Sequence, residues 1–126
     1  MIIMTDIRIK RVYEPVNPQD GVRILVDRVW PRGMRKDQVQ SDLWLKDVAP
    51  SAALRNWFNH DRAKWEEFTN RYYLELNTKP EIVARILDLA VVKECVTLLF
   101  SARDLDYNQA VVLRQYLLSE LEKNAK

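Results

Sequence analysis

Two short polar clusters hold most of the side chains that could do chemistry in this chain. The first is Asp27-Arg28-Val29-Trp30-Pro31-Arg32-Gly33, directly after the mostly apolar run Val22-Arg23-Ile24-Leu25-Val26. The second is Ser101-Ala102-Arg103-Asp104, directly after Val96-Thr97-Leu98-Leu99-Phe100. Both runs read as buried strands, and ligands of α/β sheets gather outside the carboxyl ends of such strands. If the two runs are parallel neighbours, both clusters open on one edge. Arginines beside a helix N-terminus favour negative oxygens, because guanidinium forks and free backbone N–H groups both donate to them. On this reading Arg28, Arg32 and Arg103 hold a small anion. Asp27 and Asp104 orient the arginines or act as base, and Trp30 forms a wall. The competing reading is structural: Asp27 pairs with Arg103, or Asp104 with Arg28, and the pairs clamp two loops together.

Other chemistries fit less well. Ser101, His60 and Asp27 supply the residue types of a hydrolytic triad, but the Gly-x-Ser-x-Gly elbow that exposes such a serine is missing. His60 reads as a turn or capping residue between two helices. With two glycines, Gly21 and Gly33, neither a phosphate-binding Walker loop nor a dinucleotide fingerprint can be built. One histidine and one cysteine exclude the common structural zinc sites. No metal or cofactor is therefore expected. Arg28, Arg32, Arg35 and Lys36 offer an alternative function, contact with nucleic-acid phosphates in a binding or regulatory module. The paired helices around His60 make a poor recognition surface, since the second spends its periodic positions on large aromatics and carries Glu66, Glu67 and Glu75.

Composition sets the frame for these sites. The chain has 126 residues, enough for a single domain (1–126) with one core. The net charge of +2 neither requires nor excludes a polyanionic partner. A lone Cys95 cannot form an internal disulfide and reads as a small core residue, which favours a cytoplasmic setting. The first ten residues lack a basic region followed by a long apolar segment, so no signal peptide is expected. No apolar run approaches the ~20 residues needed to span a bilayer.

Residues 7–13 alternate apolar and basic side chains and suggest a strand with one face near solvent, at a sheet edge. Residues 14–21, with two prolines and Asp20-Gly21, form a loop. Residues 22–26 are the second strand, residues 35–42 are turn-like, and residues 43–46 suggest a short third strand. Ser51 then caps a short helix bearing Leu54, Trp57 and Phe58. Asp61 caps a longer one with Trp65, Phe68, Tyr72 and Leu76 on one face. Pro80 suits the first turn of the next helix, which turns Ile82, Val83, Ile86, Leu87 and Ala90 inward. The last strand runs from about Cys95 to Phe100. Asp106 with Gln109 fits a capping box for a final helix whose stripe is Ala110, Leu113, Leu117 and Leu121. Strands followed by helices, then strand and helix, give a small α/β domain with a central, mainly parallel sheet covered by helices.

Three blocks carry a likeness that these patterns alone do not. Residues 23–34 (RILVDRVWPRGM), residues 42–61 around DLWLKDVAPS and LRNWFNHD, and VTLLFSARD with NQAVVLRQYL in residues 96–117 resemble the domain-of-unknown-function 488 family. The resemblance spans about Ile9 to Leu117. It implies a compact cytoplasmic α/β domain and no established activity. It also implies histidines on either side of an asparagine that precedes the Ala-Val-Val-Leu run. Here the asparagine is Asn108, but its neighbours are Tyr107 and Gln109. Asn108 therefore joins Asp27, Arg28, Trp30, Arg32, Ser101, Arg103 and Asp104 as a candidate ligand-binding residue.

Overall fold

A computed structural model describes residues 5–124. Four strands, β1 (Asp6–Arg11), β2 (Val22–Leu25), β3 (Leu43–Trp44) and β4 (Cys95–Phe100), form one sheet in the order β1-β4-β2-β3. Every pairing is parallel. The continuous apolar run of β4 follows from its place: it is flanked by β1 and β2 and covered on both faces. Val96, Leu98 and Phe100 face the larger core, whereas Leu99 packs on the opposite side with Val12, Leu25 and Val39. The alternating strand β1 lies on an edge, as its pattern suggested.

The helices are α1 (Lys36–Val39), α2 (Ala52–Phe58), α3 (Trp65–Asn77), α4 (Pro80–Lys93) and α5 (Gln109–Asn124). The α4 and α5 helices lie on the larger-core face of the sheet, and α3 packs on both of them. Their boundaries follow local chemistry. Ser51 Oγ accepts from the Leu54 N–H at 3.1 Å, and Pro80 occupies the first turn of α4. Asp61 caps a 3-10 turn, Arg62–Lys64, that leads into α3, and not α3 itself. The expected turn at residues 35–42 contains α1, whose Val39 is buried in the smaller core. Among the described residues, no helix is long and apolar enough to cross a membrane.

The expected capping box at α5 is not formed. Asn108 Oδ1 accepts from the Val111 N–H at 3.1 Å, so Asn108 is the cap, and the Gln109 side chain is engaged elsewhere. Cys95 is half-buried rather than a core residue, with Sγ 3.5 Å from the Asp20 carbonyl oxygen.

The second face of the sheet carries a buried ionic knot. Asp20 accepts from Arg23 at 2.5 Å and from Lys10 at 3.1 Å. Arg23 also donates to the carbonyls of Val39 at 2.8 Å and Gln40 at 3.0 Å, which ties α1 to the sheet. Gly21 makes the preceding turn possible. Its φ is +67°, and a Cβ there would lie 2.3 Å from the Cys95 carbonyl oxygen.

Candidate functional site

The register of β2 against β4 sets the site. Leu25 stands opposite Leu99, so Asp27 and Ser101, each two residues further on, emerge side by side at the carboxyl edge. Asp27 Oδ2 accepts from the Ser101 N–H at 3.0 Å and from the Ser101 hydroxyl at 2.6 Å. Asp27 Oδ1 accepts from Gln109 Nε2, at the start of α5. Burial pushes the Asp27 carboxyl above the ordinary carboxylate value. The Ser101 hydrogen bonds, the Arg55 charge and the Gln109 amide oppose this shift without cancelling it.

Asp27, Ser101 and Gln109 line a cavity of about 550 Å³. One wall is the backbone of Ala49 and Pro50, held by side chains from three directions. Arg28 donates to the Pro50 carbonyl at 3.1 Å and to that of Ala49 at 3.2 Å. Lys79 reaches the carbonyls of Asp47 at 2.5 Å and Ala49 at 3.3 Å. The buried Tyr72 hydroxyl donates to the Val48 carbonyl at 2.7 Å, and burial raises its phenol far above the usual range. Glu75 accepts from the Ser51 N–H at 2.8 Å and the Ser51 hydroxyl at 2.6 Å. These hydrogen bonds fix the position of the wall.

The opposite rim is the end of α2, which presents Arg55, Asn56, Asn59 and His60. Asn59 and His60 are both left-handed, with φ of 45° and 56°. Asn59 closes α2 by donating its N–H to the Arg55 carbonyl at 2.9 Å. Asparagine and histidine adopt this region more readily than most residues, yet each costs on the order of 1 kcal/mol there. This backbone places the rim residues over the cavity.

Four of the expected site residues line the cavity: Asp27, Arg28, Ser101 and Asn108. The other four lie elsewhere. Trp30 does not line this cavity; it covers the smaller core on the opposite face. There it packs edge-on to Trp44 at 5.3 Å and donates to the Met34 carbonyl at 2.6 Å. Arg32 is exposed, and its carbonyl accepts from the Tyr13 hydroxyl at 3.1 Å. Arg103 is also exposed. Asp104 binds Arg62 at 3.0 Å and the N–H groups of Asp106 and Tyr107 at 3.0 Å each, clamping the loop to the turn before α3. Neither anticipated clamp, Asp27 with Arg103 or Asp104 with Arg28, is formed. His60 shares the cavity with Ser101 and Asp27, but the serine hydroxyl is bonded directly to the aspartate, which is not a triad arrangement. The basic residues 28–36 do not form one patch, because Arg28 turns inward and Arg35 pairs with Asp37 at 3.0 Å.

Sequence reasoning missed Arg55 and Gln109. Arg55 reads as the solvent face of an amphipathic helix and Gln109 as a capping residue. The available signal was the Asn59-His60 break, which stops α2 at the cavity.

The chain is 40% identical over 117 residues to an uncharacterised protein of Mycobacterium tuberculosis, covering 93% of this chain and 98% of that one. It is 40% identical over 114 residues to the uncharacterised protein YeaO of Escherichia coli, covering 90% and 98% respectively. No solved structure matches it. The family match runs over residues 6–126, nearly end to end. On this evidence the chain belongs to the DUF488 family, in the branch described as the inactive DUF488-N3 subclade.

Proposed function

We propose that this protein binds a small anionic ligand in the cavity at the carboxyl ends of β2 and β4, without turning it over. The observation that carries the reading is that two guanidinium groups, Arg28 and Arg55, line one cavity. Neither is paired with a carboxylate among the described residues. Arg28 spends Nε and one Nη on backbone carbonyls, and its remaining N–H groups are uncommitted. Uncommitted arginine donors, from the half-buried Arg28 and the exposed Arg55, are suited to negative oxygens. The cavity size falls in the range typical of small-molecule pockets.

Binding without turnover is favoured by the chemistry around Asp27 and by the description of the subclade. Gln109 holds Asp27 where the family pattern implies a histidine. An amide does not titrate near neutral pH, so this pair cannot pass a proton as an aspartate–histidine pair would.

Calorimetric titration of inorganic phosphate into the wild type and Arg55→Ala tests the reading. The account expects the variant to bind at least about tenfold more weakly, the equivalent of one lost charge-assisted hydrogen bond, with its melting temperature unchanged. Arg32→Ala and Arg103→Ala, which lie off the cavity, should bind as the wild type does. Equal binding by wild type and Arg55→Ala would refute the proposal.

A further inference from the structure

The two buried aspartates of this protein are treated in opposite ways. Asp20 and Asp27 are both 6% exposed. Asp20 is met by two cations, Arg23 at 2.5 Å and Lys10 at 3.1 Å. Among the described residues Asp27 is met only by neutral donors, from Ser101 and Gln109, although it faces a cavity. Taking a carboxylate out of water is costly, and an opposite charge at close range offsets that cost. At Asp27 the protein supplies no such charge within hydrogen-bond distance.

We propose that the ligand is a zwitterion: its acidic group lies on Arg55 and Arg28, and a cationic nitrogen, such as a primary ammonium, is received by Asp27. This rests on the anion-binding reading above and adds the other end of the molecule. The local acceptors match an ammonium. A carboxylate offers about four lone-pair sites, and three of those on Asp27 are taken. The Ser101 hydroxyl donates its proton to Asp27, which leaves its oxygen as an acceptor. Gln109 donates through Nε2, which leaves Oε1 as an acceptor. Asp27 Oδ1, Ser101 Oγ and Gln109 Oε1 are thus three acceptors gathered at one end of the cavity, and an ammonium has three N–H donors. The raised carboxyl pKa of Asp27 agrees with a charge lacking full compensation. A simple cation would be repelled by the two arginines that share the cavity. A simple anion would leave Asp27 uncompensated and would be repelled by it.

Phosphoethanolamine and ethyl phosphate form the deciding pair, because they share the phosphate and differ in the ammonium. Calorimetry on the wild type should show phosphoethanolamine binding at least about tenfold more tightly, the effect of one added charge-assisted contact. In Asp27→Asn that advantage should shrink to about twofold or less, while ethyl phosphate binds no more weakly than to the wild type, since the carboxylate that repels it is gone. Equal binding of the two compounds by the wild type overturns the zwitterion and leaves anion binding standing. An advantage that persists in Asp27→Asn overturns Asp27 as its receptor. If neither compound binds, both readings fall. The wild-type comparison needs no variant, so a folding defect in Asp27→Asn would not rescue the idea.

Discussion

Asp20 and Asp27 are the same residue type at the same depth, and their surroundings give their mutations opposite signs. At Asp20, burial would raise the carboxyl pKa, but the Asn17 N–H, Lys10 and Arg23 outweigh it and the pKa falls. A lowered folded-state pKa adds stability above the unfolded value of about 3.9, and that stability is lost as pH falls through the folded value. Asp20→Asn should therefore cost about 3–5 kcal/mol near neutral pH, because Arg23 is left buried without its partner. At Asp27 the folded-state pKa is raised. Stability is then greatest below the unfolded value and declines as pH rises through that value toward the folded one. An asparagine at 27 can still accept from the Ser101 N–H, and Gln109 can turn its amide to suit. Asp27→Asn should be neutral or stabilising at pH 7, with its advantage over the wild type shrinking as the medium is acidified. Urea unfolding of both variants at pH 7 and pH 4 checks the signs. A large loss of stability in Asp27→Asn at pH 7 would make Asp27 a structural clamp and not a site residue.

Residue roles were only partly legible in the sequence, and the reason is physical. Asp27 and Ser101 follow directly from strand register, so their meeting could be anticipated. Beyond them, side-chain direction depends on the path of the loop. Trp30 is drawn to the smaller core by Leu25, Leu99 and the Met34 carbonyl. Asp104 is taken up by Arg62, an exposed residue of the turn before α3. Nothing in the local pattern marks those long-range partners.

At the scale of elements, periodicity and capping chemistry located the sheet and the long helices. The apolar run at β4 fits a strand buried on both sides, and Ser51 and Pro80 start their helices as the pattern suggested. The errors are at short elements and at rival hydrogen bonds. One turn of helix at α1 has too little periodicity to read. Asp106 with Gln109 satisfies a capping pattern, but Gln109 has a stronger partner in a buried carboxylate, and Asn108 takes the cap. The two glycines give an element-level prediction. Both have positive φ, +67° at Gly21 and +77° at Gly33, yet a Cβ at Gly33 meets nothing within 4 Å. Gly33→Ala should cost about 1–2 kcal/mol, the strain of a left-handed alanine. Gly21→Ala adds a clash with the Cys95 carbonyl and should cost several kcal/mol more, since β2 must pull away from β4. Thermal melting of the two variants separates the cases. Equal losses would show that the turn at Gly21 relaxes freely.

The whole molecule places its polar cavity where parallel α/β sheets usually put one, outside the carboxyl ends of two central strands. The remainder stabilises that edge. The sheet is sealed on one face by α4 and α5 and on the other by the segment joining β2 to β3. The open edge of β1 is partly blocked, with the Ile7 carbonyl accepting from Arg114 at 2.5 Å and the Arg11 N–H donating to Glu14 at 2.8 Å. Such blocking discourages strand addition by another chain.

If the cavity floored by Asp27 is the ligand site, amide chemical shifts of the ¹⁵N-labelled protein will report it. On titration with inorganic phosphate, the account predicts saturable shifts at the amides of Arg28, Arg55, Asn59 and Ser101. Those of Arg32, Lys36 and Arg103 should stay still. Shifts confined to residues 32–36 and 103, with the cavity amides unmoved, would contradict the account.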